Sequence, residues 1–248
     1  MSEIQISDYK GIKIAYRSNT VDENVIHDTI NDDLFFKGVP EYVRKDDDVI
    51  IDVGAHIGAF SLLAATYVPN GRIYAIEPSV ESFQLLQKNI KLNNLTNVEP
   101  INFALYTRTG EIMLYHDIDH GNWGHSIVKE FSPKGEMVSC DTLENFFTSK
   151  NLSKCDFIKF NCEGAEFGII LSTPLEILKK IDTMLILYHS DLEKNFKLKD
   201  LISHLRNADF LIVKRFQYGE RGWVIAHRSL LRHFKLSVKH FIKNILKM

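Results

Sequence analysis

The chain has 248 residues, 45% of them apolar and 25% charged, the balance of an ordinary globular protein able to build one sizeable core. No uncharged apolar run reaches the length a membrane span needs, and Met1–Lys10 already holds two acids, Glu3 and Asp8, so a secretory leader is not expected. The net charge of −2 hides an asymmetry. Arg228–Met248 carries six basic residues and no acid, leaving 24 basic against 32 acidic residues in the body. An acidic body disfavours a nucleic-acid partner, which needs a basic stripe for phosphates.

Three cysteines, Cys140, Cys155 and Cys162, show no CxxC spacing. Neither a disulfide framework nor a zinc cluster follows, and a reducing cytoplasm is the expected location. Metal ligation is not expected elsewhere either: the i, i+4 pair His116 and His120 lies in a stretch that does not read as helix.

In chain order, Ile4–Ser7 and Gly11–Tyr16 read as a hairpin turning through Asp8-Tyr9-Lys10. A helix over Val21–Phe36 follows, with Val25, Ile26, Thr29, Ile30 and Leu34 on one face. Strands and helices then alternate: strand Val49–Ile51, helix Ile57–Tyr67, strand Arg72–Ile76, helix Ser79–Asn93, strand Val98–Phe103. Further strands are predicted at Phe157–Phe160, Met184–Tyr188, Phe210–Phe216 and Trp223–Ala226, with a helix at Lys197–Asn207. Alternation implies an α/β fold with a mostly parallel sheet covered on both faces. The last two strands must be antiparallel, because the loop around Gly219 is too short for a crossover. No repeat or linker divides the chain. The expected organisation is an N-terminal extension (1–40), a central domain (41–227) with hairpin-like insertions at about 107–147, and a basic amphipathic helix (228–248). In that helix Leu231, Phe234, Val238, Phe241, Ile242 and Ile245 oppose Arg232, Lys235, Lys239 and Lys243, a pattern suited to an anionic membrane surface or to docking on protein.

Ligands of open α/β sheets bind at the carboxyl ends of the strands. After the first strand of the alternating region comes Asp52-Val53-Gly54-Ala55-His56-Ile57-Gly58. Gly54 allows a tight turn and close backbone approach, and the loop opens a helix N-terminus that favours an anionic group. Asp52 would repel a dinucleotide pyrophosphate but suits a ligand ammonium. Glu77-Pro78 ends the second strand, where an acid can accept both hydroxyls of a ribose. An acid for an amino group, a glycine turn and an acid for a ribose describe S-adenosylmethionine better than NAD, and no GxGxxG is present.

Several separated blocks resemble the FkbM-type methyltransferases: Ile51–Gly58 (IDVGAHIG), Tyr74–Pro78 (YAIEP), Asn102–Leu105 (NFAL), Asn122–Ser126 (NWGHS), Asp141–Phe147 (DTLENFF) and Phe157–Glu166 (FIKFNCEGAE). The resemblance implies a Rossmann-like, seven-stranded class I methyltransferase fold. It also implies S-adenosylmethionine-dependent methylation, usually of a hydroxyl on a saccharide, glycolipid or natural product. By the same resemblance Asn102–Ala104 would lie beside the adenine and Asn161–Glu163 near the methionine end. Three positions depart from the family pattern, which usually has Asp at Asn161, often Glu at Leu187, and Asn at His56. An amide cannot replace a carboxylate as base, so a catalytically impaired binding protein is the rival reading. For a base, His189 after the fifth strand, His125 and Glu163 are the candidates. The acceptor is expected over the insertion between Thr107 and Phe147.

Overall fold

The computed structural model describes residues 3–117 and 124–228. His120, part of the Asn122–Ser126 block and nearly all of the basic tail lie outside the described residues.

Two strands, β1 (Ile4–Tyr9) and β2 (Ile12–Arg17), form the N-terminal hairpin. The outer edge of β2 is met by side-chain amides rather than by another strand. Asn89 accepts from the Ala15 N–H at 2.6 Å and donates to its carbonyl at 3.0 Å, and Asn93 does the same for Lys13. The single helix predicted over Val21–Phe36 is broken into α1 (Asp22–Ile26), a π-helical turn over His27–Asn31, and α2 (Leu34–Lys37). The break falls at Asp33, which adopts a left-handed conformation (φ 52°) and accepts a hydrogen bond from the Tyr67 hydroxyl at 2.9 Å. Apolar spacing predicted the buried face but could not register the local competition from the polar Asn31-Asp32-Asp33 run.

The alternating region follows as β3 (Val49–Val53), α3 (Ala59–Tyr67), β4 (Arg72–Ile76), α4 (Val80–Leu92) and β5 (Val98–Ile101). Strand β5 stops before Phe103, short of the predicted end, because the chain leaves the main sheet at Asn102. Ala104–Leu105 (β6) then pairs in parallel with β8 (Gly135–Asp141), which is antiparallel to β7 (Gly110–Tyr115). The insertion is thus a small three-stranded sheet of its own. Helix α5 (Leu143–Ser149), capped by the Thr142 hydroxyl, leads to β9 (Cys155–Phe160), α6 (Ala165–Ser172), α7 (Leu175–Leu178) and β10 (Ile181–His189). Helix α8 (Leu198–Asn207) precedes the final hairpin, β11 (Leu211–Tyr218) and β12 (Arg221–His227).

The main sheet runs β11-β12-β10-β9-β3-β4-β5, with β9, β10, β3, β4 and β5 mutually parallel and β12 antiparallel to both neighbours. One face packs against α5, α6 and α8 through Phe146, Phe167, Leu201 and Leu205. The other carries α3 and α4 together with the N-terminal extension, through Ile14, Ile26, Phe36, Leu62 and Leu86. Strands covered on both sides must be apolar on both sides, which is why β3 and β9 are buried along nearly their whole length. The order of strands reverses between β3 and β9, and the site lies at their carboxyl ends.

Candidate active site

Strand β3 delivers the Gly54–Gly58 loop to this edge. Gly54 (φ 75°) is required twice over: its backbone is left-handed, and a Cβ there would collide with the Asn161 carbonyl. The amides of Gly54 and Ala55 both donate to the Ile76 carbonyl at 3.0 Å, which ties the loop to the end of β4. From that end, Glu77 accepts hydrogen bonds from the backbone N–H of His56 (2.7 Å) and of Ser79 (3.0 Å). Burial pushes the Glu77 carboxyl up to about 7, against the pull of those two amides. Asn102 donates to the carbonyls of Glu77 and Pro78, both at 2.9 Å, so it fixes the Glu77-Pro78 corner from the exposed side.

A cavity of about 720 Å³ runs along this edge. Of the expected cofactor residues, Gly54, Ala55, His56, Glu77, Pro78, Ala104 and Asn161 line it, joined by Leu105, Leu114 and Ile127. Asp52, Gly58 and Asn102, the last expected beside the adenine, do not. Asp52 is fully buried, and its oxygens go to Lys159 Nζ (2.8 Å) and the Ser61 hydroxyl (2.7 Å). The ammonium that the sequence reading gave to a ligand therefore belongs to the chain. Its signal was the lysine in the apolar run Phe157–Phe160, since a cation in a buried strand needs an anion.

The N-terminal extension reaches the same loop. Arg17 and Asp22, both buried, form a bidentate pair (2.9 and 3.0 Å), and the Arg17 guanidinium also lies 2.8 Å from His56 Nε2. Nε2 also lies 3.2 Å from Asp22 Oδ1, but Arg17 is nearer and can only donate, which favours a lone pair on Nε2 and the His56 proton on Nδ1. Burial pushes the His56 pKa down to about 4, and the ring is neutral.

At the end of β9, Asn161 donates its backbone N–H to Val53 (3.0 Å), and the chain then turns through Glu163 (φ 49°). Glu163 lines the cavity, whereas His189 is buried behind it. His189 Nε2 lies 3.6 Å from Glu163, and its Nδ1 lies 3.2 Å from Glu166, which also accepts the His189 backbone N–H at 2.7 Å. Burial raises the Glu163 pKa. Burial alone would lower that of His189, but the bond to Glu166 and the two carboxylates raise it. A histidine held between two acids is poorly placed to take a proton from a ligand and well placed to orient Glu163. His125 also lines the cavity. Its ring lies tilted against that of His116 (centroids 4.7 Å apart), and burial lowers its pKa to about 4.

Sequence reasoning missed the far half of the cavity. There Asn24, Val25, Asp28, Thr29, Leu34, Phe35 and Gly38 face Leu187, Arg215, Phe216 and Trp223. Periodicity marked Val25 and Leu34 as inward-facing but could not say what they face. Among the described residues, His27, Asp28 and Asp32 form one exposed group with the spacing of metal ligands; nothing else points to an ion there.

The reversal of strand order between β3 and β9, the antiparallel β12 and a ligand cavity at the strand ends define a Rossmann-like fold of the class I methyltransferase type. The crystal structure of methyltransferase FkbM from Methylobacillus flagellatus KT shares it, with a TM-score of 0.53 at 16% identity over 75% of this chain and 45% of that one. The model of the methyltransferase FkbM domain matches residues 52–212, and the chain belongs to that family. Hexuronic acid methyltransferase AglP of Haloferax volcanii is 26% identical over 180 residues, 69% of this chain and 72% of that protein. Methyltransferase 1 of Beauveria bassiana is 26% identical over 160 residues, covering 57% of this chain and 64% of its own length. The match thus spans less than two thirds of the fungal protein and less than half of the bacterial structure.

Proposed function

We propose that this chain transfers the methyl group of S-adenosylmethionine to a hydroxyl of a small-molecule acceptor. The observation that carries the reading is that Glu77 and Glu163, from the ends of two different parallel strands, line one cavity. The donor set fits the cofactor. Glu77 offers carboxylate oxygens to the ribose hydroxyls, Ala104, Leu105, Leu114 and Ile127 offer an apolar slot to the adenine, and the Gly54–Gly58 turn permits close approach of the methionine portion. When bound, the cofactor supplies a methyl carbon already activated on a sulfonium.

What remains for the protein is alignment and a destination for the proton. Alignment is worth about 7–11 kcal/mol in favourable cases. Glu163 receives the hydroxyl proton, and His189 and Glu166 hold its carboxylate in place. Asn161 lines the cavity beside it and orients rather than deprotonates, since an amide takes up no proton. Asp52 acts at one remove, through Lys159, whose Nζ also reaches the Gly54 carbonyl at 3.3 Å. A saccharide acceptor is one member of this class, and AglP is named for such a substrate.

Calorimetric titration with S-adenosylhomocysteine tests the cofactor half. Micromolar binding that Glu77→Ala abolishes is expected, and absence of binding would overturn the reading. Binding without turnover of any hydroxylated acceptor, unrescued by Asn161→Asp, would leave a cofactor-binding protein instead.

A further inference from the structure

The cavity continues past every residue assigned to the cofactor. Its far half is walled by Val25, Leu34 and Phe35 of the N-terminal extension, Phe60 of α3, and Leu187 and Trp223 of β10 and β12. The rings are contiguous: Phe35 lies 5.8 Å from Phe60 and 5.7 Å from Trp223, centroid to centroid. Gly38 makes room for this wall, since a Cβ there would collide with the Trp223 ring. Lys159 Nζ sits 5.5 Å from both the Phe35 and Phe60 rings, two residues before Asn161. The aromatic wall therefore adjoins the corner where the methyl group would be delivered.

The cations in this half are already taken. Lys159 is bonded to Asp52 and the Gly54 carbonyl, and Arg215 is paired with Glu41. Asn24 and Asp28 stand at the exposed rim, which leaves Thr29 as the buried uncharged polar side chain of the far half. A hexopyranoside would bring several hydroxyls between these walls. Each one left without a partner would weaken binding about five- to a hundredfold. An apolar body loses nothing there and gains from leaving water.

We propose that this chamber is the acceptor subsite and that it takes a molecule with an apolar ring or alkyl body and a hydroxyl directed at the Asn161–Glu163 corner. The assignment rests on the methyl-transfer reading and narrows it away from free saccharides. Whatever the acceptor, residues 24–38 and strands β10–β12 select it. The insertion at 107–147 contributes Leu114, Gly124, His125 and Ile127, toward the cofactor end.

The test is titration of the S-adenosylhomocysteine-loaded protein with para-butylphenol, methyl glucopyranoside and methyl glucuronide. Para-butylphenol is expected to bind at least about tenfold more tightly than either glycoside. Leu187→Glu, which puts a carboxylate into the wall, should weaken it about tenfold or more, and Trp223→Ala should do the same. Titration with S-adenosylhomocysteine alone, run first on each variant, reports whether the cofactor site is intact. Equal or tighter binding of a glycoside overturns the assignment, as does no binding of para-butylphenol. If S-adenosylhomocysteine itself fails to bind the native chain, the methyl-transfer reading falls instead. The same three probes are then titrated into the unloaded protein, where the chamber predicts the same order and any other order overturns it.

Discussion

Nζ of Lys159 lies 2.8 Å from Oδ1 of Asp52, its register partner on the adjacent parallel strand, and both side chains are buried. Removing one member of such a pair leaves a buried charge uncompensated, at a cost of about 3–5 kcal/mol. Asp52→Asn and Lys159→Met should each lower the urea midpoint accordingly. The double variant should recover much of the loss, because neither charge is then stranded. A direct ligand contact predicts the opposite pattern for Asp52→Asn, namely unchanged stability with lost S-adenosylhomocysteine binding.

Glu77 should make cofactor affinity depend on pH. Its carboxyl is pushed up to about 7 by burial, and the ionised form is the one that accepts two ribose hydroxyls. Below that pH the free protein must first lose a proton. The dissociation constant for S-adenosylhomocysteine should therefore rise about tenfold as pH falls from about 8 to about 6, and Glu77→Gln should flatten the profile. The sign for folding is opposite. A carboxyl raised in the native state adds stability below its folded pKa and loses that contribution as pH rises through it, so the Glu77 contribution to the stability of the ligand-free protein grows on acidification over the same window, while His56 and His125, held neutral by burial, contribute with the opposite sign.

Glu163→Gln should lower turnover by about 10²–10⁴ while S-adenosylhomocysteine still binds. The more discriminating variant is His189→Asn. The cation lowers the Glu163 pKa and burial raises it, so removing the imidazolium should move the acidic limb of the turnover profile to higher pH. If His189 were itself the base, its removal would abolish the limb rather than displace it.

The Arg17–His56 contact predicts an observable tautomer. Nitrogen-detected magnetic resonance should find His56 neutral and protonated on Nδ1 down to about pH 5, given its depressed pKa. In Arg17→Met the cation is gone and Asp22, whose Oδ1 lies 3.2 Å from His56 Nε2, has lost its guanidinium partner, so the His56 pKa should climb toward or beyond its ordinary value near 6.5. That variant should also lose about 3–5 kcal/mol of stability, for the reason given for Lys159.

Much of the architecture was legible because strands buried on both faces must read as short apolar runs, as Val49–Ile51 and Arg72–Ile76 do. Glu77 and Gly54 were legible for a related reason: residues that end such strands fall at the ligand edge of the sheet. The partner of Asp52 was not, because it lies 107 residues away and only the pairing of β3 with β9 brings it close. The same holds for the walls of the far chamber. Phe35 and Trp223 meet only after the extension folds across the sheet, and no periodicity within either segment encodes that meeting. His189 was correctly placed at a strand end, but its burial behind Glu163 depends on the left-handed turn at Glu163 and Gly164.

The amides of Asn89 and Asn93 have a further effect. A strand edge with free N–H and C=O groups is a template on which a second molecule can add its own strand. By occupying the backbone groups of Lys13 and Ala15 from within the same chain, α4 removes one such edge from the hairpin. Shortening these two residues to alanine would expose it, and self-association, rather than lost activity, would be the first symptom.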